Sequence, residues 1–276
     1  MSTAPRNSGV RWSGRTHPGR VRPHNEDAFI ALVLNEREVR YLGKDGEAEF
    51  TEGDFIFAVA DGMGGAKAGE YASKIAVEQI SRRLPASFRE QGANVRRNAA
   101  NLLKQTVAEI HGELRRMAFH YEECRGMGAT LSLCWLSPDR LVFTHVGDSR
   151  IYYLGIRRER SQLTEDQSAV GRLFRKGLIN EREARNHPRR HILEMSLGGH
   201  RESVRSQEGS VIPIPGDRFV LTTDGVQDGV FDANLEGMIR SPSHLIAHLP
   251  PAERIVREAV SASGKDNITA VVFETF

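Results

Sequence analysis

Apolar positions change period several times along the chain, and the changes divide it into elements. Residues 28–33 (AFIALV) and 55–60 (FIFAVA) are short continuous apolar runs with polar flanks, which predicts strands. The charged stretch between them, NEREVRYLGKDGEAEFTEGD, carries a turn signal at Lys44-Asp45-Gly46 and reads as a hairpin insertion leading into the second strand. Residues 1–20 are polar and dotted with Gly and Pro: a flexible start, or an edge strand carrying Val10 and Trp12. After a Gly-rich turn at 61–69 the period becomes helical. Ala72, Ile75, Ala76, Ile80 and Leu84 predict one helix over 69–84, and a stripe including Leu103, Val107, Ile110 and Leu114 predicts another over 94–122.

A period of two then returns. TLSLCWL, RLVFTHV and RIYYLG (130–136, 140–146, 150–155) read as a three-stranded meander turning at Ser137-Pro138-Asp139 and Gly147-Asp148-Ser149. Residues 163–200 are polar and basic, with helical signals at Ala169–Lys176 and Asn180–Arg185. Asn180 and Glu183 fit a capping box for the second. A strand over 217–223, helices near 233–240 and 251–263, and a strand over 268–274 complete the chain. Strands and helices come in blocks, which points to α+β with largely antiparallel sheet.

At 276 residues the chain is long enough for a substantial core in a single domain. Its 38 Lys+Arg against 36 Asp+Glu leave a net charge of +2, too balanced to argue for nucleic acid. Only Cys124 and Cys134 are present, which excludes a disulfide scaffold and a Cys-rich zinc module and reads as free thiols of a reducing compartment. No apolar run reaches membrane-spanning length and the N-terminus lacks a signal-peptide core, so the expected location is the cytoplasm.

The chemistry concentrates in aspartates at strand ends. Asp61 (VADGMGG), Asp148 (HVGDSR), Asp224 (TTDGVQD) and Asp266 (GKDNIT) each precede a small or turn-forming residue, and Asp27 (HNEDAF) starts a strand. Asp-Gly and Asp-Asn also make ordinary turns. Four in the same context weaken that reading, because packed strands deliver their ends to a common edge. Clustered carboxylates repel by about 4 kcal/mol per pair at 4 Å and an effective dielectric near 20. Such a cluster needs protons or cations, and without a Cys cluster or HExxH the cation is hard: Mg²⁺ or Mn²⁺. Two such ions are the usual machinery of phosphate-ester hydrolysis.

Other motifs fail in detail. GxxxxGK[ST] is absent, and a GxGxxG placed on Gly62-Met63-Gly64 meets Lys67 where its third Gly belongs. His187 and His191 have zinc-pair spacing, but Pro188 between them is unsuited to a helix interior. The basic RLFRK and HPRRH segments read as a solvated face, able to attract phosphate if near an active site.

Taken in order, RPHNEDAF (22–29), VADGMGG (59–65), GMGATL (126–131), HVGDSRIYYL (145–154), LTEDQS (163–168), PGDRFVLTTDGVQD (215–228) and GKDNITAVV (264–272) resemble the PP2C-type (PPM) metal-dependent protein serine/threonine phosphatases, bacterial members above all. The resemblance runs from about Arg22 to Phe273. It implies two packed antiparallel sheets flanked by helices, with two Mn²⁺ or Mg²⁺ ions at one end. It implies that Asp61 bridges the ions and Gly62 offers its carbonyl. Asp224 and Asp266 hold one ion, while Glu26 and Asp27 serve the metal and its waters. Asp148 and Asp228, with Asp224, match a third, weaker metal position, and Arg22 matches the arginine that grips the substrate phosphate. The implied reaction is direct attack of an ion-bridging water on phosphoserine or phosphothreonine. Implied partners are phosphorylated proteins, a Ser/Thr kinase among them, met by a monomer. The residues around 169–200 resemble a flap subdomain. The alternative is a pseudophosphatase, a binding module on the same fold; the intact Asp61, Asp224, Asp266 and Arg22 argue for activity. Two positions depart from the pattern: Met63 where some members carry a proposed general-acid histidine, and Gln167 where LTxDHS places a histidine.

Overall fold

The computed structural model describes residues 7–65 and 67–276. Residues 1–6, part of the predicted polar start, lie outside the described residues. The first elements are strands β1 (Gly9–His17), β2 (Asp27–Leu34), β3 (Val39–Tyr41), β4 (Asp45–Glu49) and β5 (Asp54–Met63). Helices α1 (Ala68–Gln91) and α2 (Ala99–His120) follow. Strands β6 (Gly128–Ala129), β7 (Leu131–Leu136), β8 (Leu141–Val146), β9 (Arg150–Leu154) and β10 (Arg160–Gln162) come next. Short helices α3 (Ala169–Arg175) and α4 (Glu181–Arg185) precede β11 (Leu197–Gly198), β12 (Gln207–Val211) and β13 (Arg218–Thr222). The chain closes with α5 (Asp224–Gly229), α6 (Asp232–Arg240), α7 (Pro251–Ala262) and β14 (Ile268–Thr275).

Two sheets form, and every strand pairing in them is antiparallel. One runs β10-β9-β13-β14-β1-β4; the other is built on β5, with β2 and β3 to one side and β7, β8 and β12 to the other. Their apolar runs are continuous because both faces of each sheet are buried. In β5, Phe55, Phe57 and Val59 face the gap between the sheets, where Phe57 stacks on Phe273 with centroids 4.3 Å apart. The alternate residues Ile56, Ala58 and Ala60 pack under α1 and α2. Val220, Ala270 and Val272 likewise pack under α5, α6 and α7. The result is a four-layer α–β–β–α sandwich.

Several expectations are corrected. β1 lies between β14 and β4, so it is no edge strand. The charged stretch after β2 is no hairpin insertion: β3 pairs with β2, whereas β4 crosses to β1 in the other sheet. The meander is also split. β7 and β8 form a hairpin, but β9 pairs with β13 in the opposite sheet. Local alternation reports burial of a face; it carries no information about which sheet receives it. Finally, α1 continues past Leu84 through Pro85 to Gln91. Proline removes one donor from the helix, but Phe88 is buried against Trp135 and anchors the extension, about two turns long. The capping box at Asn180 and Glu183 forms as expected.

Candidate active site

The open ends of both sheets meet in a cavity of about 190 Å³ whose lining includes Arg22, Glu26, Asp61, Gly62, Met63, Asp148, His191, Asp224 and Asp266. Six different stretches of chain supply these groups. Asp61 lies near the end of β5 and faces Asp27, its register partner on β2. Asp148 sits in the turn by which the chain leaves β8 for the other sheet. Asp224 is the first residue of α5, and Asp266 stands two residues before β14. The crossover that the meander reading missed is therefore what brings Asp148 to the seam between the sheets.

Close backbone approach requires glycine here. A Cβ on Gly62 would lie 1.9 Å from the carbonyl oxygen of Gly69 at the start of α1, and one on Gly69 would lie 2.8 Å from the Glu26 carboxyl carbon. The Gly62 N–H donates to the Glu26 carbonyl at 3.0 Å. Asn267 ties down the same loop: its side chain accepts from the Glu26 N–H at 2.7 Å and donates to the carbonyls of Pro18 and His24, each at 2.9 Å. Sequence reasoning passed over Asn267, although it follows Asp266 directly in GKDNIT.

The electrostatics are those of crowded carboxylates. Burial lifts Asp61 well above the ordinary carboxylate range, and Asp27, Asp224, Asp148 and Asp266 lift it further. Asp148 is raised in the same way by burial and by Asp224. Burial pushes Asp27 up to about 7, against the downward pull of hydrogen bonds from Thr269 and Thr223, both 2.7 Å from its Oδ2. Its Oδ1 is buried with no hydrogen-bond partner among the described residues. An orphaned carboxylate oxygen behind a donor set made mostly of carboxylates fits hard divalent cations. Glu26 is raised by burial.

Not every predicted residue reaches the cavity. Asp27 lies buried behind Asp61 and does not line it. Asp228 lines a neighbouring cavity of about 80 Å³ that shares Asp148 and Asp224. There Arg190 forks onto it at 3.2 and 3.3 Å. Arg22 reaches the cavity but donates to Asp266 Oδ2 at 2.8 Å. The HPRRH segment is no merely solvated face: Arg190 pairs with Asp228, and His191 Nδ1 lies 3.8 Å from Asp224 Oδ2. Both lie in the HPRRH segment that the sequence singled out, but only folding reveals the acids they meet.

Gln167 holds the crossover turn. Its side-chain oxygen accepts from the Gly147 N–H at 2.9 Å, and its backbone N–H donates to the Gly147 carbonyl at 2.7 Å. His145, fully buried, has Nε2 3.0 Å from that same carbonyl. The residue next to Asp148 is thus fixed from two sides.

Comparison with known proteins agrees with this geometry. A protein phosphatase 2C family model matches residues 44–263, well over half the chain. The serine/threonine phosphatase stp of Listeria monocytogenes is 34% identical over 262 residues, covering 94% of each chain. The crystal structure of the Mycobacterium tuberculosis serine/threonine phosphatase PstP/Ppp superposes with a TM-score of 0.75 at 28% identity, over 96% of this chain and 98% of that one. The catalytic domain of PstP in complex with two manganese ions gives a TM-score of 0.73 at 27% identity, over 97% and 98%. By sequence and by fold alike, the chain belongs to the protein phosphatase 2C family.

Proposed function

We propose that this protein is a metal-dependent protein serine/threonine phosphatase that hydrolyses phosphoserine and phosphothreonine. The observation that carries this reading is the convergence of Asp61, Asp148, Asp224, Asp266, Glu26, the Gly62 backbone and Arg22 on one cavity. Asp61, the Gly62 carbonyl, Asp224 and Asp266 would hold two Mn²⁺ or Mg²⁺ ions, with Asp61 shared between them. Glu26 reaches the cavity directly, whereas Asp27 acts from behind Asp61. Asp148, Asp224 and, once freed of Arg190, Asp228 would make a weaker third position. Divalent cations bound there lower the pKa of water toward neutrality and neutralise charge on a phosphoryl group.

The chain's own groups do the rest. Arg22 is half exposed at the cavity mouth, so its planar fork is free to exchange Asp266 for two phosphoryl oxygens. Both cysteines are buried, and burial raises both thiols, so neither offers a thiolate nucleophile. Met63 lines the cavity and has no proton to give.

The whole chain acts as a single phosphatase domain, and residues at about 169–200 form a flap over the cavity that selects protein substrates. We place the enzyme in the cytoplasm, as a monomer, acting on phosphorylated proteins that include a Ser/Thr kinase. Among the described residues no helix is long and apolar enough to cross a membrane. The test is hydrolysis of a phosphothreonine peptide with and without Mn²⁺. Activity should vanish with chelator and return with Mn²⁺ or Mg²⁺; full turnover in excess EDTA would refute the reading.

A further inference from the structure

Among the described residues, one group of metal-ligating side chains mixes nitrogen with carboxylate oxygen. Ligand atoms of His191, Asp224 and Asp266 all lie within 4.8 Å of one another. The two carboxylates stand on the frame of the sandwich: Asp224 opens α5, and Asp266 Oδ1 accepts the N–H of Asn267 at 2.9 Å. His191 arrives from the opposite wall, on the turn between α4 and β11. Both flanks of that turn are fastened. On one side Arg190 is paired with Asp228. On the other, Leu193 bridges to Ser168 and the Glu194 N–H donates to the Gln167 carbonyl at 2.7 Å. His191 is therefore presented to the cavity by the backbone, while its half-exposed ring keeps room to rotate.

We propose that His191 is a ligand contributed by the flap, which converts the Asp224–Asp266 pair into an imidazole–dicarboxylate site for a borderline cation, Zn²⁺ in particular. This rests on the reading of the cavity as a divalent-cation site and adds a donor that the carboxylates lack. Zinc takes nitrogen and carboxylate ligands at about 2.0–2.2 Å in tetrahedral geometry, which puts donor atoms about 3.3 Å apart. The observed group must contract by up to about 1.5 Å to reach that spacing, a movement within the reach of one side-chain rotation. Imidazole favours Zn²⁺, whereas carboxylate and water favour Mg²⁺ and Mn²⁺; the affinity order of divalent ions points the same way. Zn²⁺ therefore fastens the segment around His191 across the cavity. Mg²⁺ binds the carboxylates and leaves the imidazole aside.

The experiment uses the full chain stripped of metal by chelation and titrated with Zn²⁺ or Mg²⁺, by chelator competition for zinc and calorimetry for magnesium. His191→Ala should weaken Zn²⁺ binding at least tenfold while changing Mg²⁺ affinity less than twofold. Zn²⁺ should also protect the Arg189-Arg190 peptide bonds from trypsin in wild type and not in His191→Ala. Equal Zn²⁺ affinity in wild type and His191→Ala, or equal losses for both ions, overturns the proposal. Asp224→Asn separates the two levels of argument. If it abolishes binding of both ions and His191→Ala changes neither, only the His191 assignment falls. If Asp224→Asn also leaves binding intact, the cavity is no cation site and the underlying reading falls with it.

Discussion

Asp54 and Asp61 begin and nearly end the same strand, and both carboxyls are pushed upward by burial, yet they sit in opposite circumstances. Asp54 is 0% exposed and fully answered: Arg96 forks onto it at 2.7 and 2.9 Å, and Trp135 Nε1 donates at 2.9 Å. Asp61 is surrounded by Asp27, Asp148, Asp224 and Asp266, so its neighbours raise it further where those of Asp54 pull it down. Burial of a charge alone identifies neither structure nor function; the sign of what surrounds it does. At the Asp54 end the protein supplies its own cation. At the Asp61 end, on the proposed reading, a divalent ion takes that place.

The sharpest way to break this comparison is to neutralise each aspartate in turn. Asp61→Asn should lower kcat by several orders of magnitude in saturating Mn²⁺ while leaving the metal-free protein as stable as wild type or more so, because it removes repulsion. Asp54→Asn should do the reverse, keeping turnover but costing about 1–3 kcal/mol through weakened charged hydrogen bonds. Steady-state kinetics beside urea denaturation of both variants decides it; near-wild-type turnover in Asp61→Asn would remove that residue from the site.

Next in size is a stability effect of pH. The Asp27 carboxyl titrates at about 7 in the folded protein, so between about pH 4 and pH 7 the native state keeps a proton that the unfolded chain has released. Its contribution is fully present below about pH 4 and is lost as pH rises through about 7. The Tm of chelator-treated protein should therefore fall across that window, and Mn²⁺ should offset the fall by replacing the proton. Asp27→Asn should reduce the slope, leaving the share that the raised Asp61 and Asp148 carry; an unchanged slope would place the proton elsewhere.

Smaller is the expected effect of Arg22→Lys, which swaps a fork for a point charge. KM for an aryl phosphate should rise by roughly tenfold, about 1.4 kcal/mol, with kcat less affected. A fall confined to kcat would assign Arg22 to the transition state alone. Smallest is Met63→His. It should favour phosphopeptide over aryl phosphate, because an alkoxide needs protonation more than a phenolate does, and general-acid help is typically worth about 10²–10⁴-fold when well placed. An unchanged ratio of the two rates would show that position 63 cannot reach the leaving oxygen.

The amino-acid sequence by itself determined the long elements and most of the acidic cluster. The apolar runs of β2, β5, β13 and β14 and the stripe of α2 are local consequences of burial, and Asp61, Asp148, Asp224 and Asp266 announced themselves by their turns. It could not say that β9 and β4 change sheets, because hydrogen bonding to one sheet or the other leaves the same alternation of apolar and polar positions. That decision belongs to tertiary structure, and it puts Asp148 at the seam. Nor could it say which basic residues meet the acids. Arg96 completes Asp54 across 42 positions, Arg190 covers Asp228 across 38, and His191 stands over Asp224. Charge pairing over such separations depends on where the backbone brings each side chain, which only the packed fold decides.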